Sequence, residues 1–172
     1  MRIASIDIGT NTVLLLIADV DQDGTIHFVH HEQRLPRLGR DVDRNQIISV
    51  STFDRIEWIL NEYRNLAQQF RAELIVTCGT SAVRDASNKH EFLTYMEKAA
   101  GLNVEILSGD EEARWTYRGA ISGLRELIKP AVVVDIGGGS TEISFPKPGT
   151  HNGSTQFIRY SLQVGSVRLT ER

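Results

Sequence analysis

Residues 3–17 read IASIDIGTNTVLLLI, and residues 132–145 read VVVDIGGGSTEISF. Each stretch is an apolar run that ends in an aspartate, followed by a glycine-containing turn with hydroxyl side chains and then a second run. This pattern predicts two pairs of strands, each with an aspartate at the tip of its first strand. Because the same arrangement occurs twice in one chain, the sequence indicates an internal repeat.

The elements that follow the first pair of strands alternate between strand and helix. A helix begins with Ser51 as its cap, and a later helix is closed by Gly101. In chain order, the sequence predicts strands at 3–8, 12–20 and 25–33, a helix at 51–70, a strand at 74–78, a helix at 88–100, a strand at 103–107 and a helix from 110. This order predicts an α/β fold, with a mixed five-stranded sheet flanked by helices.

At Ala131 the pattern restarts. The second copy has predicted strands at 132–136, 141–145 and 155–162, a hairpin loop at 147–154 and a helix at 165–172. The predicted domains are a first lobe at 1–128 and the beginning of a second lobe at 129–172. Since the second copy lacks the remaining strand–helix units, we expect the chain to be a fragment of a longer protein.

Composition narrows the possible functions. Of 172 residues, 41% are hydrophobic and 24% are charged, which is typical of a soluble globular protein. The formal net charge of −3 argues against a nucleic-acid polymer as partner. The longest apolar run, Val13 to Ala18, is too short to span a membrane, and no signal peptide is expected. One cysteine, Cys78, fits the reducing cytoplasm, and its apolar setting favours a small core residue over a nucleophile.

The two turns have the features of phosphate-binding loops. A strand that ends in Asp-x-Gly and reverses through small residues exposes consecutive backbone N–H groups, which bind phosphate oxygens. An aspartate at the strand tip can orient a divalent cation or a water beside that phosphate. One such turn is common, but two at matching places predict a clamp with a cation between them. The phosphate-binding candidates are Gly9, Thr10, Asn11, Thr12, Gly137, Gly138, Gly139 and Ser140.

Six motifs in order resemble one known family along the whole chain. They are DIGTNTVLLLI at 7–17, RLG at 37–39, GTSAVRDASN at 79–88, SGDEEAR at 108–114, DIGGGSTE at 135–142 and GSVRLTE at 165–171. The chain resembles the exopolyphosphatase/guanosine pentaphosphate phosphohydrolase (Ppx/GppA) family, within the superfamily of actin, sugar kinases and heat-shock ATPases. The first loop has Thr10 and Thr12 where serine is common in that family, and threonine also supplies a hydroxyl.

The resemblance implies a duplicated ribonuclease H-like (actin-like ATPase) fold with an incomplete second copy. It implies Mg²⁺-dependent release of terminal phosphate from inorganic polyphosphate, guanosine pentaphosphate or both, by water attack at a cleft between two lobes. A monovalent cation beside the Mg²⁺ stays open, and a homodimer is expected only through parts missing from this chain. The alternative is a module that binds (p)ppGpp or polyphosphate without turnover, while the SGDEEAR motif argues against an ATP-dependent kinase.

Aligning the two copies pairs Asp7 with Asp135, and it places Glu142 where the first copy has Leu14. A carboxylate on a buried strand is costly unless a cation or a donor compensates its charge. The alternative is an exposed strand end, because Ser144 also interrupts the apolar pattern. We favour a cleft carboxylate, since the resemblance implies that Glu142 and Asp135 act on Mg²⁺ and the attacking water. Asp7 is the third expected metal ligand.

Glu111 and Glu112 follow Asp110 at a helix start. Acidic residues in a first turn favour the helix dipole, which gives a purely structural alternative. Adjacent helical residues point roughly 100° apart, so at most one of the two glutamates can face the cleft. The family motif places the catalytic carboxylate at Glu112, as the general base for the attacking water, and leaves Glu111 as a solvated or capping residue.

Arg84 follows a strand end in GTSAVRD. Its guanidinium can grip phosphate oxygens and stabilise charge in the transition state. The family position makes Arg84 a catalytic candidate, in preference to a surface ion pair with Asp85 or Glu91. Arg37 is either a phosphate contact or a charge on a surface loop.

Three histidines, His27, His30 and His31, could suggest a metal site. Strand spacing places His27 and His31 on one face and His30 on the other. With no accompanying carboxylate or cysteine motif, we expect surface residues on an edge strand.

Overall fold

The computed structural model describes residues 1–124, 131–147 and 157–170. The strands are β1 Arg2–Ile8, β2 Val13–Val20, β3 Ile26–Arg34, β4 Leu74–Gly79, β5 Val104–Ile106, β6 Val133–Ile136, β7 Thr141–Pro146 and β8 Phe157–Leu162. The helices are α1 Gly39–Asn45, α2 Val50–Gln69, α3 Ser81–Asp85, α4 Lys89–Ala100, α5 Gly109–Ser122 and α6 Ser166–Thr170. Within these described ranges, no helix is long and apolar enough to cross a membrane.

The first sheet has five strands in the order β3-β2-β1-β4-β5. Strands β1, β2 and β3 form an antiparallel meander, β4 lies parallel to β1, and β5 lies parallel to β4. The predicted mixed five-stranded sheet is therefore confirmed. Strand β1 is central, so the turn after it emerges at the middle of one sheet edge.

Helices α2 and α4 contribute to the core on one face of this sheet. Alternation along β1 buries Ile6 and Ile8 completely, and the helical period of α2 buries Leu60 and Tyr63 completely. The Tyr63 hydroxyl donates a hydrogen bond of 3.0 Å to the carbonyl of Val13, which fixes α2 against β2. Burying one such large apolar side chain contributes about 1.5–3 kcal/mol. On the opposite face, Leu14 and Leu16 remain 39% and 42% exposed.

The second sheet is the antiparallel meander β6-β7-β8, and α5 packs on it. The buried Ser144 hydroxyl on β7 donates to the carbonyl of Ala113 on α5 at 3.0 Å. Helix α5 precedes the predicted boundary between 128 and 129, so it links the two parts of the chain. That boundary lies outside the described residues and stays a prediction.

Several predicted helix ends differ from the structure. The N-cap of α2 is Ser49, so Ser51 lies inside the first turn, and the prediction that Ser51 caps the helix is wrong. Helices α1 and α3 were not predicted, because seven and five residues are too few for a helical period to stand out. Gly101 ends α4 at φ 67°, as predicted. The predicted 147–154 loop, the start of the 155–162 strand and the end of the last helix lie largely or wholly outside the described residues.

A bulge in β3 changes which of the three histidines share a face of the sheet. The register between β2 and β3 shifts at Val29, which is an extra residue in β3. This residue breaks the two-residue period, so His27 and His30 lie on one face and His31 on the other. The predicted pairing of His27 with His31 is therefore wrong. Strand β3 is an edge strand, as expected, and His27 Nε2 lies 2.8 Å from a carboxylate oxygen of Asp21.

Candidate active site

The turns after β1 and β6 have the same geometry. In the first turn, the N–H of Gly9 donates to the carbonyl of Thr12 at 2.9 Å, and in the second the N–H of Gly137 donates to the carbonyl of Ser140 at 2.9 Å. A Cβ atom on either glycine would lie 3.1 Å from that carbonyl oxygen. The two turns are thus structural copies of each other, as the repeat predicts.

Strand register also matches between the copies. Leu14 lies directly across from Asp7 in the first hairpin, and Glu142 lies directly across from Asp135 in the second. The pairing obtained by aligning the two sequences therefore agrees with the structure. Glu142 is only 2% exposed, so the alternative of an exposed strand end is wrong.

The two turns meet at a glycine. A Cβ atom on Gly139 would lie 2.4 Å from Ser81 Oγ and 2.7 Å from Thr10 Oγ1. The hydroxyls of Thr10 and Ser81 are themselves 2.8 Å apart and buried. Only a residue without a side chain allows the second turn to approach the first this closely.

A cavity of about 340 Å³ lies between the turns. All eight phosphate-binding candidates line it, together with Glu112 and the three expected metal ligands Asp7, Asp135 and Glu142. The structure therefore brings these predicted residues together, while their roles stay predictions. The cavity also receives Thr80, Ser81 and Ser166, which were not predicted as site residues. Thr80 and Ser81 belong to the GTSAVRDASN motif, and their position as two adjacent hydroxyl residues after a predicted strand could have indicated that they are site residues.

The RLG motif supports the first turn through its backbone. The N–H of Arg37 donates to the carbonyl of Asn11 at 3.1 Å, and the N–H of Gly39 donates to the carbonyl of Thr10 at 2.7 Å. A Cβ atom on Gly39 would lie 2.1 Å from Thr10 Cγ2, so the motif requires glycine there. The Arg37 side chain itself is exposed, and its role stays open.

Helix α6 supports the second turn in a similar way. The N–H of Ser166 donates to the carbonyl of Gly137 at 2.9 Å. The Arg168 guanidinium donates to the carbonyl of Gly139 at 2.8 Å and to Asp85 Oδ2 at 2.9 Å. Arg168 therefore links the second turn to α3 of the first lobe, and Asp85 is not the partner of Arg84.

Burial and mutual repulsion affect the carboxylates of the cavity. Burial, with the charge of Asp135 adding to it, raises the pKa of Asp7 to about 6 against the hydrogen bond from Cys78. Burial also raises the pKa of the Cys78 thiol to about 12, so this cysteine is not a thiolate nucleophile. Negative charges gathered in this way repel one another, which favours the binding of a cation between them.

Glu112 is a second carboxyl of the cavity whose pKa is raised. Burial raises the pKa of Glu112 to about 7, and the charges of Glu142 and Asp7 add to this, while Arg84 opposes it. Arg84 Nη1 donates to Glu112 Oε2 at 2.9 Å and to the carbonyl of Leu107 at 2.8 Å. Arg84 lies behind Glu112 and is not among the cavity-lining residues, so its predicted grip on phosphate stays a prediction.

Glu111, unlike Glu112, is not among the cavity-lining residues. It forms a capping box with Ser108, whose hydroxyl accepts from the Glu111 N–H while the Glu111 carboxylate accepts from the Ser108 N–H. The capping alternative for Glu111 is therefore confirmed. This cap begins α5 at Gly109 and orients the next side chain, Glu112, into the cavity.

The carboxylates fit a hard divalent cation such as Mg²⁺. Asp7, Asp135 and Glu142 line one cavity, and Mg²⁺ prefers oxygen ligands such as carboxylates. Within the described ranges, no group of three or more His, Cys, Asp or Glu side chains is close enough to form a complete metal site. Mg²⁺ commonly binds through one or two carboxylates and takes its other ligands from water and substrate phosphate, so the joint role of Asp7, Asp135 and Glu142 as metal ligands stays a prediction.

Comparison with known proteins agrees with this architecture. Exopolyphosphatase 2 of Mycobacterium tuberculosis is 39% identical over 179 residues, which cover 99% of this chain and 54% of that protein. The crystal structure of an exopolyphosphatase from Cytophaga hutchinsonii has a TM-score of 0.86 and 30% identity, over 98% of this chain and 52% of that chain. The Aquifex aeolicus member of the Ppx/GppA family has a TM-score of 0.81 and 34% identity, over 99% of this chain and 54% of that chain.

The chain spans about half the length of these relatives. Their similarity confirms the duplicated ribonuclease H-like (actin-like ATPase) fold with an incomplete second copy. A family model, that of the Ppx/GppA phosphatase family, matches residues 16–172. The chain therefore belongs to the Ppx/GppA phosphatase family.

Proposed function

We propose that the protein to which this chain belongs hydrolyses a terminal phosphoanhydride bond, in a Mg²⁺-dependent reaction at the cleft between its two lobes. The observation that carries this proposal is the pair of matching turns that face one cavity together with four carboxylates. The substrate is inorganic polyphosphate, guanosine pentaphosphate or both. Relatives named exopolyphosphatase support polyphosphate, and the family's name covers the second substrate.

The turns hold the substrate. The backbone N–H groups of Gly138 and Gly139, with the hydroxyls of Thr12 and Ser140, bind oxygens of the terminal phosphates. Asp135 and Glu142, which lie directly across from each other in the β6–β7 hairpin, would hold Mg²⁺, with Asp7 as the third expected ligand, and the bound cation would neutralise charge on these oxygens.

Glu112 acts as the general base. A carboxyl with a pKa of about 7 accepts a proton from water more readily than an ordinary glutamate while still being partly ionised at neutral pH. Arg84 holds one oxygen of Glu112 at 2.9 Å and thereby leaves the other free for the attacking water. The guanidinium also places positive charge near the phosphate as negative charge develops there.

The remaining expectations are part of the same proposal. The enzyme acts in the cytoplasm on small or linear phosphate compounds, without a nucleic-acid or membrane partner. A homodimer, if it forms, uses parts of the protein beyond this chain, and a monovalent cation beside Mg²⁺ stays open.

A phosphate-release assay on the full-length protein tests the proposal. Polyphosphate and guanosine pentaphosphate are supplied side by side, with and without Mg²⁺, to wild type, Glu112→Gln and the matched control Glu111→Gln. We expect Mg²⁺-dependent release by wild type and the control, and loss of at least about 100-fold in Glu112→Gln. Binding by calorimetry without release would favour the regulatory binding module, and wild-type rates in Glu112→Gln would remove that residue from the mechanism.

A further inference from the structure

The buried carboxylate Glu142 has a specific hydrogen-bond donor on the neighbouring strand. Ser161 lies directly across from Glu142 in the β7–β8 register, and its hydroxyl donates to Glu142 Oε1 at 2.7 Å. Glu142 is 2% exposed, so water solvates this carboxylate poorly. A buried carboxylate requires such a partner, and a donor on one oxygen directs the other oxygen elsewhere. Here the cavity between the turns is available to it.

The position of Ser161 depends on a close contact with α5. A Cβ atom on Gly109 would lie 2.5 Å from Ser161 Cβ and 2.8 Å from Ser161 Oγ. Glycine is therefore needed at this position for β8 to approach the first residue of the helix. Since the contact is between backbone on one side and a short side chain on the other, it fixes Ser161 with little freedom.

A second contact holds the same two elements together. Arg159, two residues before Ser161 on β8, donates to both carboxylate oxygens of Asp110, at 2.7 and 3.1 Å. Asp110 directly follows Gly109 and lies two residues before Glu112. The start of α5 is thus attached to β8 beside Ser161, so the elements that carry Glu112 and Glu142 are positioned as one unit.

We infer that Ser161 is a positioning residue for the metal site, one whose hydroxyl orients Glu142 toward Mg²⁺ and whose own place is set by Gly109. The inference rests on the proposed function of Glu142 as a metal ligand. A hydrogen bond to a ligand carboxylate restricts its orientation, and the loss of such a partner weakens metal binding by roughly 10–100-fold.

The experiment measures metal binding directly and without substrate. Mn²⁺ alone is titrated into the full-length protein, and the free Mn²⁺ signal is followed by electron paramagnetic resonance. The variants are Ser161→Ala, Gly109→Ala, Glu142→Gln and the matched control Ser122→Ala, which removes an exposed hydroxyl from the far end of α5. We expect Ser161→Ala and Gly109→Ala to raise the dissociation constant at least about tenfold at unchanged stoichiometry, with the control unchanged.

Each outcome has a distinct meaning. If Glu142→Gln weakens Mn²⁺ binding but Ser161→Ala does not, the positioning role is wrong and the proposed metal site stands. If Glu142→Gln leaves binding unchanged, the metal role of Glu142 fails, and the inference fails with it. A merely structural role for Ser161 would lower the number of Mn²⁺ ions bound per chain rather than the affinity, and that result would also overturn the inference.

Discussion

Glu112 should make the stability of the protein depend on pH, and replacing it with glutamine should remove that dependence. Burial raises the pKa of Glu112 to about 7 in the folded protein, from an ordinary value of 4.5. The folded state therefore keeps a proton that the unfolded chain has already released between these two values. The stability from this proton is fully present below the unfolded pKa and is lost as pH rises through the folded pKa.

The size of the effect follows from the two pKa values. One pKa unit corresponds to about 1.4 kcal/mol, so the difference between 4.5 and about 7 corresponds to about 3 kcal/mol. About 2 kcal/mol of this falls between roughly pH 5.5 and 8.5, because the unfolded carboxyl is already mostly ionised at the lower limit. Glutamine stays neutral throughout, and its carbonyl oxygen can still accept the hydrogen bond from Arg84.

The measurement is urea unfolding of wild type and Glu112→Gln at about pH 5.5 and 8.5, followed by tryptophan fluorescence and circular dichroism. The free energy of unfolding of Glu112→Gln, relative to wild type, should rise by about 2 kcal/mol between the two conditions. Any constant effect of the amide cancels in this comparison. An equal difference at both pH values, within about 0.5 kcal/mol, would refute the assignment of a raised pKa to Glu112.

Glu111→Gln serves as the control, because the pKa of Glu111 is lowered whereas that of Glu112 is raised. Hydrogen bonds from Ser108 lower the pKa of Glu111, so the stability linked to Glu111 is lost only as pH falls through its lowered folded pKa. Glu111→Gln should therefore keep a nearly constant difference from wild type across the same pH range. Glutamine is also accepted at this position of a capping box.

Two further predictions concern the contact between the turns and the core. Gly139→Ala places a methyl group 2.4 Å from Ser81 Oγ and should lower the rate of phosphate release by at least about tenfold. The control Gly119→Ala, which has open space around it, should not lower this rate. Equal rates in the two variants would show that the reaction does not need the close contact between the turns. Leu60→Ala, at a fully buried position, should lower the free energy of unfolding, measured by urea titration, by about 3 kcal/mol. The control Leu124→Ala, at a position that is 54% exposed, should lower it by less than about 0.5 kcal/mol. A small decrease in the free energy of unfolding of Leu60→Ala would mean that neighbouring side chains fill the space left by the leucine.

The strand-based part of the fold could be predicted from the sequence, because its signals are local. The runs around Asp7 and Asp135 are apolar and end in glycine-containing turns, and the structure has strands with matching turns at both places. The same alignment identified Glu142, since a polar residue in an otherwise repeated apolar position has no local explanation. Its burial agrees with that prediction.

What the sequence did not predict depends on contacts between distant elements. Helix α1 begins at Gly39, which packs on Thr10, and α6 begins directly after Gly165, which packs on Gly138. Of these two helices, only α6 was predicted. Neither glycine is informative by itself, because the surface against which it packs lies far away in the chain. The bulge at Val29 could not be predicted either, because Val29 is an ordinary strand residue and the bulge is defined only by how β3 pairs with β2.

Ser161 shows the same limit within the candidate site. It is one small polar residue on an edge strand, and nothing in its neighbours along the chain distinguishes it. Its relation to Glu142 and Gly109 exists only in the folded protein, where residues separated by 19 and by 52 positions meet. Arg84 is a related case, because its contacts with Leu107 and Glu112 join residues 23 and 28 positions apart, while its predicted phosphate contact stays a prediction.

Helix α5 follows a strand of the first sheet but is fastened to the second, while Arg84 belongs to the first. Any hinge rotation between the lobes would therefore change the Arg84–Glu112 separation while leaving each half internally intact. Burial is the main cause of the raised pKa of Glu112, so a rotation that let water reach this carboxyl would lower its pKa, while the loss of the guanidinium would raise it. The Arg84–Glu112 ion pair is therefore a bridge between the two halves of the chain, formed by side chains that pack on different sheets.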